Sequence, residues 1–249
     1  MDRNITFGGN ASTDLLSETA PFVGAFSSAA EPVAPRTSDN PYSVSRPSAA
    51  TDVASRVIDL VLGIAVLPIV VPMILIAAVA LKIQDWRGPI FYSQIRYGLN
   101  GKPFKIWKLR SMVVGADKMK AEICERDGVA NEPGFKMERD PRVTRIGRIL
   151  RKTHIDEMPQ ILNVLNGEMA IVGPRPNSYP PEKYEPWQRL RLLVKPGITG
   201  VWQISAERAY EFDVRCEMDL EYIRNKHAFY DLRILFLTAV HFARGGSGV

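Results

Sequence analysis

Soft metal ligands are scarce in this chain. Its 249 residues hold two cysteines, Cys124 and Cys216, far apart, and three scattered histidines, His154, His227 and His241. With no close-spaced pair, neither a disulfide framework nor a zinc site is supported, and a reducing compartment fits best. Residues 1–50 lack any sustained apolar period and are rich in Ser, Thr, Ala, Pro and Gly. Such a stretch cannot bury enough apolar surface to fold and reads as a disordered tail, leaving about 200 residues for one domain. Its start also lacks a basic region running directly into an apolar core, so no secretory signal is read there.

What the chain does have is one long apolar run. Leu60 to Leu81, LVLGIAVLPIVVPMILIAAVAL, carries no charge, and its length suffices to cross a bilayer core of roughly 30 Å. Pro68 and Pro72 sit in the middle, where each removes a backbone donor and crowds the preceding turn, so a sharp bend is expected. Two topologies follow, a kinked helix that spans and a helix that breaks at the prolines and returns to the side it entered. Lys82, Arg87, Arg96, Lys102, Lys105, Lys108 and Arg110 all follow the run, which places the main domain in the cytoplasm in either case. The net charge of +5 suits anionic lipids or nucleotides. A nucleic-acid partner is not expected, because the basic residues form no recognisable binding motif and the apolar run argues against one.

Beyond the run, IFYSQIRYGLNGKPFKIWKLRSM reads as two short strands around Asn100-Gly101, a dipeptide suited to a tight turn. The Gly-Lys pair is not a phosphate loop, since the glycine spacing is too short and no Ser or Thr follows Lys102. Strand alternation puts Lys108 and Arg110 on one face. Two readings stay open, a phosphate grip and a solvated face beside anionic lipid.

Residues 113–135 read as a polar helix followed by a loop, with no chemistry apparent. Arg139, Arg142, Arg145, Arg148, Arg151 and Lys152 then recur about every three residues, predicting a basic helical face that leads into Asp156-Glu157. Asp156 is expected to cap a helix running to Gly167, with Met158, Ile161, Leu162 and Leu165 as its buried stripe. A helix dipole and nearby arginines would keep Asp156 ionised. An ionised carboxylate can attack phosphorus or bind the magnesium that accompanies a diphosphate; an ordinary capping pair is the other reading. The stretch GEMAIVGPRPNSY tips the balance, because Gly173, Pro174 and Pro176 hold Arg175 in a rigid turn and present its fork of donors to phosphate oxygens. The C-terminal FYDLRILFLTAVHFAR is too short in apolar length to span, and is either an interfacial helix or a buried one.

The chain resembles the bacterial sugar transferases, also called monotopic polyprenyl-phosphate phosphoglycosyl transferases. The resemblance spans about residues 56–244 through RVIDL, GPIFYSQIRYGLNGKPFKIWKLRSM, DPRVTRIGRILRKTHIDEMPQILNVLNGEMAIVGPRP and KPGITGVWQIS. It implies an α+β, mainly helical fold. Its parts would be a tail (1–50), a proline-broken re-entrant membrane helix (51–82) and a compact catalytic domain (83–249) with a small β-hairpin and interfacial helices. The domain would lie on the cytoplasmic face of the bacterial inner membrane. The implied reaction moves a sugar 1-phosphate from a UDP-sugar to undecaprenyl phosphate, with Mg2+, releasing UMP. By matching position Asp156 would be the nucleophile and a metal ligand, with Glu157 as its partner. Lys108, Arg110, Arg151 and Arg175 would lie near the phosphates, and Pro68 and Pro72 at the bend. Where relatives carry Gly-Arg after WQxS, this chain has Ala206-Glu207 and then Arg208, which puts the sugar or nucleotide contact in question. A one-step transfer between the same substrates and a non-enzymatic basic membrane scaffold are the competing readings.

Overall fold

The computed structural model describes residues 42–126, 140–205 and 211–243. Most of the expected tail therefore lies outside the described residues. Its last positions do not: Ser48 caps a helix by accepting the Thr51 amide at 3.2 Å, and Ala49 and Ala50 are already helical.

That helix, α1 (Ala49–Gln84), runs without a gap through Pro68 and Pro72. Inward-facing residues recur every three or four positions: Ser55, Asp59 and Gly63, then Leu67, Val70, Ile74, Ala77 and Leu81. The other side is apolar and uncovered, with Val61, Ile64, Leu75, Ile76, Val79 and Ile83 all exposed. The helix is long and apolar enough to cross a membrane, and little of its apolar stretch is buried against the body.

Both ends of α1 are stapled to the same body. Near its start, Ser55 Oγ donates to Asp231 at 2.7 Å, and Asp59 Oδ1 accepts the Ile171 amide at 2.8 Å. Arg56 donates to the carbonyls of Val164 and Leu165, the last two residues of a helix, joining the Gly167 amide at Val164. Near its finish, Gln84 Oε1 accepts the Ile146 amide at 3.1 Å, and Ala77 and Leu81 pack with Leu109 and Leu150.

The body is mainly helical around two small sheets. Strands β1 (Phe91–Tyr97) and β2 (Pro103–Leu109) form the expected antiparallel hairpin, with Tyr92 opposite Lys108. Asn100 and Gly101 both take positive φ, 56° and 72°, in the turn between them. Helix α2 (Ala116–Arg126) follows. The basic helix is shorter than its sequence period suggests: α3 spans Arg145–Lys152, Arg142 precedes it and pairs with Asp140 at 2.7 Å, and Arg139 lies outside the described residues.

After α3 the chain departs from expectation. His154 takes φ 58°, and Ile155–Glu157 form one 3-10 turn with no side-chain cap, so Asp156 does not start a helix. The left-handed residue ahead of Asp156 reverses the chain, and the helix proper, α4 (Gln160–Leu165), begins only after Pro159. Ile161 of the expected stripe is buried, but Gln160, Asn163 and Val164 are the other buried residues of this helix, and Leu162 is exposed. Asn163 rotates the rest of that stripe outward because it serves the hairpin. Its Oδ1 accepts the Trp107 amide at 3.2 Å, and its Nδ2 donates to the Lys105 carbonyl at 2.7 Å. Ile161 and Val164 join Phe104, Ile106 and Met169 in a core on which Leu67 and Val70 of α1 rest.

Strands β3 (Ala170–Val172) and β4 (Gly197–Thr199) pair in parallel. A Cβ on Gly197 would lie 2.1 Å from the Gly173 nitrogen, so only glycine allows the two segments to close. The short helix α5 (Val201–Ile204) leads to α6 (Phe212–Arg224) and α7 (Ala228–Ala243). Asp231 and Ile234 of α7 face inward, whereas Phe229, Leu232, Phe236 and Phe242 are exposed. The C-terminal helix thus presents an aromatic, apolar outer face instead of being buried.

Candidate active site

Four of the residues singled out above meet at one place. Lys108, next to last in β2, points from the same face as Phe104 and Ile106 and donates to Glu157 Oε1 at 2.7 Å. Arg175, in the rigid turn after β3, grips Glu157 with both arms, Nη1 to Oε2 at 3.1 Å and Nη2 to Oε1. Asp156 is the neighbouring residue in the same 3-10 turn. Arg151, at the end of α3, donates from Nε to Ser111 Oγ at 2.8 Å and contributes positive charge at Asp156.

The two carboxylates differ sharply. Burial alone would push the Glu157 carboxyl up, but the charges and hydrogen bonds of Arg175 and Lys108 outweigh it and hold the group well below the usual carboxylate range. Burial also depresses the Lys108 ammonium, against the pull of Glu157. Asp156, only 7% exposed, goes the other way. Burial and then the charge of Glu157 raise it, opposed by Lys108, Arg151 and His154. The expectation that a helix terminus would favour its ionised form is therefore corrected, since no helix starts there. Among the described residues no hydrogen bond reaches the Asp156 carboxylate. It is an acceptor left free beside one that is fully engaged.

Arg110 goes elsewhere. Strand β2 ends at Leu109, and the Arg110 guanidinium, 6% exposed, crosses Gly88 to pair with Asp85 at 2.6 Å. Pro68 and Pro72 lie inside α1, and Ala206, Glu207 and Arg208 lie outside the described residues. Arg96 was missed. It donates to Ser178 Oγ at 3.1 Å and to Gln94 Oε1 at 2.7 Å, within electrostatic reach of Arg175 and Glu157. The signal was available, because Tyr92, Gln94 and Arg96 alternate along β1 on the side that the register pairs with Lys108, Ile106 and Phe104.

A divalent cation has a partial fit. Among the described residues no three His, Cys, Asp or Glu side chains cluster as a metal cage, and Glu157 is taken by cations. The free oxygens of Asp156 suit an ion that keeps most of its waters and arrives on a diphosphate, which is how magnesium is commonly held.

The family described as bacterial sugar transferases matches residues 50–245. The chain is 41% identical over 177 residues to an undecaprenyl-phosphate galactose phosphotransferase of Salmonella typhimurium, covering 67% of this chain and 37% of that protein. It is also 41% identical over 192 residues to a UDP-glucose:undecaprenyl-phosphate glucose-1-phosphate transferase of Escherichia coli, covering 74% and 39%. It thus spans less than half the length of these two relatives. With the exopolysaccharide production protein ExoY of Sinorhizobium fredii it shares 37% identity over 199 residues, covering 78% of this chain and 88% of that one.

Proposed function

The chain belongs to the bacterial sugar transferases, and on that footing we propose that it moves a sugar 1-phosphate from a UDP-sugar to undecaprenyl phosphate and releases UMP. The observation that carries this reading is the pairing of a free, buried Asp156 carboxylate with a Glu157 held by two cations. When the diphosphate arrives, its oxygens compete with Glu157 for Lys108 and Arg175, and these cations pass from carboxylate to phosphate with little reorganisation. Magnesium bound with the diphosphate, with Asp156 within its reach, would supply further charge neutralisation.

The ionised Asp156 oxygen attacks the phosphorus that bears the sugar. The bond from that phosphorus to the bridging oxygen breaks, and UMP departs with the electron pair. An oxygen of undecaprenyl phosphate then attacks the same phosphorus, which releases the Asp156 carboxylate and leaves a lipid diphosphate sugar. Two displacements mean that the soluble donor and the lipid acceptor need not share the site. A raised carboxyl also makes the better nucleophile once ionised, and the fixed cations offset the repulsion between anions. Glu157 acts through the cations it holds, Arg151 completes the positive rim, and Arg110 braces the end of β2 through Asp85.

Helix α1, though unbroken through Pro68 and Pro72, would dip into the membrane and return to the side it entered. What supports this is that Ser55 and Asp59 at one end, and Leu81 and Gln84 at the other, touch the same body. The site would then sit at headgroup height on the cytoplasmic face of the inner membrane, with the apolar face of α7 lying in the interface. Incubating the purified full chain with undecaprenyl phosphate, magnesium and a panel of UDP-sugars tests the reaction. Release of UMP that depends on the lipid is expected with at least one sugar; no release with any of them overturns the proposal.

A further inference from the structure

Arg175 is aimed by more than its prolines. Its carbonyl accepts a hydrogen bond from Arg191 Nη2 at 2.9 Å, and that guanidinium also meets Asp219 Oδ2 of α6 at 2.7 Å. Both side chains are almost sealed, 5% and 2% exposed. The Arg191 carbon lies 5.6 Å from the Phe212 ring centroid, and Phe212 stacks on Tyr184. One turn away in the same 3-10 stretch (Gln188–Leu193), Gln188 Nε2 donates to Asp213 Oδ1 at 2.6 Å, a second tie to α6. A continuous set of contacts therefore runs from α6 through Arg191 to the Arg175 main chain, and from the Arg175 side chain to Glu157.

A buried ion pair is a poor way to stabilise a fold, since apolar residues of similar volume often do as well or better. Burial lifts the Asp219 carboxyl to about 6 even with Arg191 beside it. What the pair does supply is a donor fixed in direction at the back of the Arg175 turn, where a guanidinium misplaced by about 1 Å would cost roughly 10²-fold in rate.

We infer that Arg191 and Asp219 are positioning residues, which hold the Arg175 turn so that its guanidinium faces Glu157 and the incoming phosphates. This rests on the reading of the site as a phosphosugar transfer centre, and its test has an arm that does not.

In the full-length chain, Arg191→Met combined with Asp219→Leu removes both charges together and leaves no buried charge unpaired. The double variant is expected to melt within about 3 °C of wild type or above it. The amides of Arg175, Asn177 and Ser178 are expected to exchange about tenfold faster. Turnover should fall about 100-fold in kcat with KM changed less than about threefold. Unchanged exchange with unchanged kcat in the folded double variant overturns the inference. Should that variant unfold, Arg191→Lys keeps a charge for Asp219, but the shorter side chain draws the donor back from the Arg175 carbonyl, which Nη2 reaches in wild type while also meeting Asp219. Faster local exchange at native melting temperature is expected there, and no change overturns the inference. The exchange arm needs no substrate, so a wild-type chain that turns over no UDP-sugar sinks the transferase reading while amide exchange still decides this one.

Discussion

Asp156 and Glu157 are consecutive in one 3-10 turn, yet Lys108 and Arg175 both bond Glu157 and neither bonds Asp156. Two adjacent buried carboxylates repel, and the chain resolves the conflict by giving both cations to one of them. Glu157 becomes the permanently ionised member and Asp156 the one raised by burial and by its neighbour. A group in that state costs stability and is available for chemistry.

Asp156→Asn should therefore stabilise the protein while inactivating it. The folded-state carboxyl titrates higher than the unfolded one, so the native state binds the proton more tightly and stability falls as pH rises through the interval between the two. At neutral pH the amide escapes that cost, and a melting temperature about 2–4 °C above wild type, equivalent to ~1 kcal/mol, is expected. Turnover should drop by at least ~10³-fold. Calorimetry at pH 7.5 beside a UMP-release assay checks both.

Glu157→Gln should do the reverse to stability, because it strands two largely buried cations, at about 3–5 kcal/mol. The Glu157 carboxyl is depressed in the folded state, so its contribution is fully present above the unfolded value of ~4.3 and is lost only as pH falls below that toward the folded value. The wild-type advantage over Glu157→Gln in melting temperature should hold constant from about pH 8 to pH 5.5 and shrink only in stronger acid.

Much of this was readable from local pattern. Asn100-Gly101 marked the hairpin, the uncharged run marked α1, and Gly173, Pro174 and Pro176 marked a rigid Arg175. What pattern could not carry was pairing at a distance. Arg110 looked equivalent to Lys108 until β2 ended one residue short of it and Asp85, in the link before β1, claimed its guanidinium. Asp156 looked like a cap because an apolar stripe of helical period follows it, and nothing in the sequence announces a left-handed His154. Arg191 and Asp219 belong to segments with no shared motif, so their contact exists only in the fold.

Arg175→Lys should keep the charge and lose the two-armed grip on Glu157. A point charge cannot reproduce both bonds, so a loss of about 10²–10³ in kcat is expected, with the melting temperature far less affected than in Glu157→Gln. Steady-state kinetics of the variant beside thermal unfolding distinguishes the two effects.

Gly147→Ala tests how α3 is seated. A Cβ there would lie 1.9 Å from the Ser111 carbonyl oxygen, a backbone atom that cannot rotate away. The helix must retreat, at about 1–3 kcal/mol, and Arg151 leaves Ser111 Oγ. Chemical denaturation should show that loss, accompanied by reduced turnover.

The decisive measurement is a single incubation of purified full-length protein with magnesium and a UDP-sugar labelled in the phosphate that bears the sugar, with no lipid acceptor. The account predicts that label stays on the protein, maps by peptide mass to Asp156, is absent from Asp156→Asn and is discharged by undecaprenyl phosphate. Lipid-dependent UMP release by a protein that never carries label would contradict it and point to direct transfer in one step.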